Sequence, residues 1–312
     1  MTGSGTPPVV AITGANGYLG SVLVGEFRSA GYLVRRLIRS PAAASSDRGF
    51  DLRISDPASG LDDVDVLVHC AYDMTLTRRA DIWKVNVFGS VALLDQAVAS
   101  QVPRTIVVSS MSAYPGTHQL YGQAKLAIEV AARARGMCIV RPGLVYGPGW
   151  GGMAGTLRKL AAFPALPDFG RQARQFTVSE NDFAAAMVAL ARADRVPAVP
   201  VGIAHTDAVA FSDLLAHLAA SRGATPPRFV RVPAMVVYRA LRTFELFPVA
   251  LPFRADSLLG LIRPAPEVPN PDVLTGLGVF LRPFAVESCE DAEGSDGRRA
   301  LRRGSGLRAD PT

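Results

Sequence analysis

The chain has 312 residues, 49% of them hydrophobic and 19% charged, a globular composition that can bury a sizeable core in one large domain or two small ones. Its net charge of +6 suits an acidic or phosphate-bearing ligand. The arginines are scattered among alanine and proline, with no basic stripe interleaved with aromatics, so nucleic acid is not an expected partner.

The first eight residues, MTGSGTPP, are read as a flexible start without a secretion signal. VVAI (9–12) is an apolar run that predicts a buried strand. Leu19, Val22, Leu23 and Phe27 then recur at helical spacing up to Gly31, a C-terminal cap. Further strands are read at LVRRLI (33–38), DVLVH (65–69), TIVVSS (105–110) and MCIVRP (137–142), with helical stretches between them, among them 80–99. Continuous rather than alternating apolar strands, joined by helices, predict an α/β fold with a doubly wound parallel sheet of the Rossmann kind. Cys70, Cys138 and Cys289 have no metal or redox spacing, which fits a reducing, cytoplasmic setting, and His69, His118, His205 and His217 have no ligand spacing, so no metal is expected. No uncharged apolar run reaches the length of an integral membrane segment, roughly 20 residues.

The first strand runs into TGANGYLG (13–20). Gly14 lets the chain turn, Gly17 lets backbone N–H groups approach a pyrophosphate, and Gly20 lets the following helix pack on the sheet. The helix N-terminus adds donors and partial positive charge. A glycine triplet alone is weak evidence; between a strand and an amphipathic helix it predicts dinucleotide binding. An acidic residue at the end of the second strand would hold the ribose of NAD, but LIRS stands there, and Arg39 can pair with the 2′-phosphate of NADP. The plainer reading makes Arg39, like Arg35 and Arg36, a solvated surface charge. Asp51 and Asp56 are both candidates for an adenine contact, and spacing does not choose between them.

In LYGQAKLAIE (120–129) Tyr121 and Lys125 share one helix face. On most helices that is a solvated pair. In order, however, TGANGYLG, VHCAY (68–72), VSSMSAY (108–114), YGQAK (121–125) and RPGLVYGPG (141–149) resemble the extended short-chain dehydrogenase/reductase family, the NAD(P)-dependent sugar epimerases and dehydratases. The resemblance covers residues 9 to about 190. It implies a catalytic Ser110, Tyr121 and Lys125, with Ser112 a substrate contact. It implies cofactor contacts at Gly14, Asn16, Gly17, Tyr18, Leu19, Gly20, Arg39, Ala71, Tyr72, Tyr121, Lys125, Pro142 and Val145, and at Asn86, a supporting helix asparagine. It also implies a smaller substrate domain and a possible homodimer through the helices that include the active-site one.

A tyrosine titrating near 10 is a poor base at neutral pH, and the expectation is that the Lys125 ammonium and an oxidised nicotinamide lower it. Tyr121 would then exchange a proton with a substrate hydroxyl or carbonyl while hydride passes to or from the nicotinamide. Dehydration calls for an additional acid and base after the catalytic serine, and Met111 and Ser112 stand there, so epimerisation or net ketone reduction remains. The family places a nucleotide-linked sugar first; a ketone of another kind and a non-catalytic NADP-binding redox sensor are the alternatives.

The domain reading assigns 9–150 and 175–204 to the Rossmann domain and 151–174 and 205–285 to the substrate domain. Arg228, Arg231, Arg239, Arg242, Arg254 and Arg263 are candidates for substrate phosphates. Val236, Val237, Tyr238 and Phe244 read most simply as core, with a membrane-surface helix as the other reading. The tail, 286–312, carries opposed charge blocks and few apolar residues and reads as disordered.

Overall fold

Val10, Ala11 and Ile12 are all fully buried, a pattern that only a strand covered on both faces produces. They belong to β1 (Val9–Thr13), in a computed structural model that describes residues 6–42, 46–54, 60–170, 172–245 and 254–285. Asp56, Cys289 and the tail lie outside the described residues, as do residues 1–5 of the N-terminal stretch. After β1 come α1 (Tyr18–Ser29), β2 (Leu33–Ile38), β3 (Arg48–Gly49), β4 (Val66–His69), α2 (Arg79–Ile82), α3 (Phe88–Ala99), β5 (Arg104–Val108), α4 (Leu120–Ala134) and β6 (Cys138–Pro142). The chain continues through β7 (Leu144–Tyr146), α5 (Gly152–Leu160), β8 (Ala165–Asp168), β9 (Arg174–Gln175), β10 (Thr177–Ser179), α6 (Glu180–Arg192) and β11 (Val201–Ile203). It ends with β12 (Val209–Ala210), α7 (Phe211–Ala220), β13 (Arg228–Arg231), α8 (Ala234–Phe244), α9 (Ala255–Ile262) and α10 (Asp272–Gly276).

Seven parallel strands form one sheet in the order β11-β6-β5-β4-β1-β2-β3. Alternate residues feed two cores: Val10, Ile12, Val68 and Ile106 pack with Leu23 and Phe27 of α1 and Phe183 and Met187 of α6. Ala11, Leu67, Val107 and Ile139 pack with Leu93 and Leu94 of α3 and Ile128 of α4. This is the doubly wound Rossmann architecture. The strand order turns back on itself between β1 and β4, which opens a crevice beyond their carboxyl ends.

The single helix expected over 80–99 is broken. Between α2 and α3, Trp83–Val87 form a π turn, which takes one residue more than an α turn and shifts the register of all that follows.

A third core joins Leu157 of α5, Phe211, Leu214, Leu215 and Leu218 of α7 and Leu261 of α9. The assignment of all of 205–285 to this smaller unit needs correction at its end. Leu274 of α10 packs into the first sheet core, joined by Val273, Leu277, Val279 and Leu281. Gly202 donates its N–H to the Pro269 carbonyl, and Arg282 pairs with Asp182 of α6 at 2.8 Å. The chain therefore returns to the sheet, a step hidden in sequence because this stretch of prolines and short apolar runs has no period of its own.

Candidate active site

The turn after β1 is built from contacts too close for side chains. Gly14 has φ +65°, a left-handed conformation, and a Cβ there would stand 3.0 Å from the Ala71 backbone. A Cβ on Gly20 would stand 2.2 Å from the Gly14 carbonyl oxygen. Gly17 caps α1 without a side-chain acceptor, and the first turn holds no acidic residue, so the N-terminal donors of α1 are left for an anion. These features fit the pyrophosphate of a dinucleotide. The Thr13 hydroxyl fastens the opposite side of the crevice, accepting the N–H groups of Cys70 and Ala71 at 3.1 Å each. Its own oxygen lies 2.8 Å from His69 Nδ1, whose Nε2 is 2.8 Å from Ser90 Oγ. Burial holds the His69 ring at about 3, well below its usual range, so it stays neutral, a structural histidine.

From the glycine turn a cavity of about 680 Å³ runs across the ends of β4, β5 and β6. Of the expected site residues, Gly14, Gly17, Tyr18, Leu19, Gly20, Tyr72, Ser110, Ser112, Tyr121, Lys125, Pro142 and Val145 line it. Asn16, Arg39, Ala71 and Asn86 stand outside that lining. Asn16 and Arg39 are exposed on the surface. Arg36, expected only as a surface charge, donates to Asn16 Oδ1 and lies 3.6 Å from Asp47, which ties β2 to the glycine turn. Asn86 is fully buried on the π turn, where its amide accepts the Asp73 N–H at 2.7 Å and donates to the Asp73 carbonyl at 3.2 Å. It fixes the segment that carries Tyr72 from behind. His118 and Cys70 also contribute to the cavity wall.

The helix α4 carries both Tyr121 and Lys125. The Lys125 ammonium is 4% exposed and donates to the Val108 carbonyl at the end of β5 at 2.7 Å. It stands 5.0 Å from the Tyr72 ring centre and 5.9 Å from that of Tyr121, and the two rings meet edge to face at 5.0 Å. Burial lowers Lys125 to about 8, against the raising effects of Cys70 and Glu129. For Tyr121, burial works in the opposite direction to the lowering expected of Lys125 and an oxidised nicotinamide. Burial raises its phenol to about 12, and the hydrogen bond from Ser110 opposes that only in part. Removing the phenol from water disfavours its anion more than its neighbours favour it, so Tyr121 is a neutral acid here.

Three carboxylates that sequence reading left out position this machinery. Glu129, one turn beyond Lys125, takes a two-point ion pair from Arg141 of β6 at 2.8 and 2.6 Å and the Ser109 hydroxyl at 2.5 Å. Glu180, opening α6, accepts the Tyr18 hydroxyl at 2.6 Å and the Gly149 N–H at 3.0 Å, so the glycine turn is tied to the 147–152 loop. Asp256 of α9 accepts the backbone N–H of Leu120 at 2.8 Å. Arg254, beside it, donates to the carbonyls of Met74 and Thr75 at 3.0 and 3.3 Å. The lining of the cavity further includes Met74, Leu76, Met153, Phe176, Tyr238 and Leu261. Among the described residues there is no group of three or more His, Cys, Asp or Glu that could hold a metal ion. No helix among them is long and apolar enough to cross a membrane.

Comparison with known proteins bears on the family and the fold. The sequence model of the NAD dependent epimerase/dehydratase family matches residues 10–202. Over 238 residues the chain is 30% identical to a ceramide reductase of Caulobacter vibrioides, covering 72% of this chain and 74% of that one. Its fold is similar to that of a short-chain dehydrogenase/reductase superfamily protein from Agrobacterium tumefaciens with bound NAD, at TM-score 0.66 and 18% identity, covering 95% and 99% of the two chains. It is similar also to MoeE5 in complex with UDP-glucose and NAD, at TM-score 0.64 and 22% identity, covering 94% and 99%.

Proposed function

Because the chain belongs to the NAD dependent epimerase/dehydratase family, we propose that it reduces a ketone to a secondary alcohol with NADPH, on a substrate with a long apolar portion. The observation that carries this reading is the gathering of Ser110, Tyr121 and Lys125 on one cavity whose wall is also lined by Met74, Leu76, Met153, Phe176 and Leu261. A carbonyl oxygen that becomes an alcohol must receive a proton, and the Tyr121 phenol is a group that can give one. A bound nicotinamide supplies the hydride. Ser110 orients the substrate oxygen and Tyr121 delivers the proton. The Lys125 ammonium, aimed at the same corner, offsets the negative charge that grows on the phenol oxygen as the proton leaves. Met111 and Ser112, which follow Ser110, supply no additional acid and base, which argues against dehydration.

The substrate class rests on the cavity wall and on the relative whose name couples a reductase with a lipid. Met74, Leu76, Met153, Phe176 and Leu261 give an apolar lining. Of the three candidate arginines that line the cavity, two are engaged, Arg254 by backbone carbonyls and Arg242 by Glu245 at 3.1 Å. That weakens the earlier preference for a nucleotide-linked sugar. NADP is favoured over NAD by Arg39, which directly follows β2 with no acid in its place. The same reading takes the protein as cytoplasmic and pairs two copies through α3 and α4, whose Phe88, Val98 and Val130 are exposed.

The test is to supply NADPH with a series of long-chain ketones and follow loss of the reduced nicotinamide and, separately, to supply UDP-sugars with NAD or NADP and follow conversion of the sugar. Ketone-dependent oxidation of NADPH is expected, falling about 100-fold or more in Tyr121→Phe while NADPH still binds. Epimerisation of a UDP-sugar without net consumption of the nucleotide would replace this reading with the sugar one.

A further inference from the structure

Four large hydrophobic side chains stand exposed within fifteen residues: Val230 at 54%, Met235 at 46%, Val236 at 58% and Phe244 at 54%. Three of them are on α8, a helix with no fully buried residue. On its inner side Tyr238, Arg242 and Glu245 line the cavity. Its outer side is open and ordered in two stripes. Val236, Ala240 and Phe244 recur every four residues as an exposed apolar row, and Met235 and Arg239 form an exposed row next to it. Just before the helix, Arg228 and Arg231 of β13 are exposed too. Arg231 lies 3.9 Å from Asp168 and Arg242 pairs with Glu245, whereas Arg239 has no acidic partner among the described residues.

An apolar row flanked by arginines on a solvent-facing helix matches the charge and polarity of one surface in particular. We propose that α8 lies flat on an anionic lipid bilayer, with Val236 and Phe244 at the boundary of headgroups and acyl chains and the arginines on lipid phosphates. A second copy of the chain fits less well, because the same arginines would face one another across the contact. As α8 is a wall of the cavity, docking brings the substrate side of the active site against the membrane. A lipid ketone then passes from the bilayer to Tyr121 without crossing water. That purpose rests on the reductase reading, but the docking itself does not.

The experiment uses the full chain and sedimentation with vesicles of phosphatidylcholine alone or mixed with phosphatidylglycerol. Binding to the mixed vesicles, little to phosphatidylcholine, and loss in high salt are expected. Arg239→Glu, which reverses one charge, is expected to weaken binding by about 30-fold, taking roughly one kcal/mol per elementary charge. Val236→Asp with Phe244→Asp is expected to abolish it. None of these residues touches the cavity, so reduction of a short, water-soluble ketone stays unchanged in all the variants, which also shows that they fold. The proposal is overturned if the mixed vesicles do not retain the chain, or if these variants bind as well as the parent. It is overturned equally if Val236→Asp dissolves a dimer instead, which gives the face to a second copy. Failure of the reductase reading looks different: vesicles bind and no ketone is reduced.

Discussion

Asp256 reaches the backbone of Tyr121 across 135 residues: its carboxylate accepts the N–H groups of Leu120 at 2.8 Å and Tyr121 at 3.4 Å. The N-cap residue of α4, Gln119, makes no side-chain cap bond, so the cap of the catalytic helix is supplied from α9. Burial raises the Asp256 pKa, and the two N–H donors work in the opposite direction. Asp256→Ala is expected to cost about 1–2 kcal/mol of stability, the usual worth of a cap, and to lower kcat more than it raises KM. Asp256→Asn, which keeps an acceptor oxygen, is expected to restore most of both. Thermal melts and steady-state kinetics on the two variants check this, and equal losses in both would refute a capping role.

Lys125 gives a pH signature. Its folded value near 8 lies below the 10.5 of an unfolded lysine. Between those values the unfolded chain binds a proton that the folded chain lacks, so stability rises with pH across the window and the contribution is constant below it. The buried ammonium costs about 3 kcal/mol at neutral pH by this shift. Lys125→Met is therefore expected to melt higher at pH 7, to lose the rise between 8 and 10.5, and to lose nearly all activity. Denaturation followed at several pH values measures it.

Arg39 and Arg36 separate by what they hold. Arg39→Ala is expected to weaken NADPH binding by roughly 30-fold, the worth of a charge-assisted contact of about 2 kcal/mol, and to leave NADH binding unchanged. Arg36→Ala, which releases Asn16 in the glycine turn, is expected to weaken both nucleotides alike. Fluorescence titration of the reduced nucleotides distinguishes the two patterns, and equal weakening of both nucleotides by Arg39→Ala would remove it from the 2′-phosphate.

The ion pair of Glu129 and Arg141 is enclosed, with side chains 2% and 12% exposed. Removing one partner strands the other, and Glu129→Leu is expected to cost about 3–5 kcal/mol. Replacing both with leucine should recover most of that loss. Glu129 also raises the pKa of Lys125, so its removal should move the lysine titration further down, visible in the pH dependence just described.

The glycine turn stands out in sequence as a local pattern, a tight bend between strand and helix, whereas Ser110, Tyr121 and Lys125 stand out only through the resemblance of ordered motifs; all of them line one cavity. Asp256 does not stand out, since an acid near the start of RADSLLGLI reads as capping its own helix, and nothing in the sequence shows that it serves α4 instead. Glu180 and Tyr18 meet across 162 positions, and Glu129 looks like any polar residue on an amphipathic helix until β6 sets Arg141 opposite it. The raised Tyr121 was illegible for a related reason. A spacing of four residues shows which groups are neighbours, while the depth of burial that decides the sign of the shift comes from the whole assembled fold.

The π turn at Trp83–Val87 makes the length of this segment a part of its design. The helical path from Arg79 to Ala99 contains one residue beyond what a regular α-helix needs to span it. Deleting a single residue here would let the backbone relax into an unbroken α-helix, a locally easier structure, but would rotate Asn86 by about 100° away from Asp73. Insertions and deletions in this stretch therefore behave like shifts of a reading frame: hydrophobic content and charge can be conserved throughout while the brace on the active-site wall is lost.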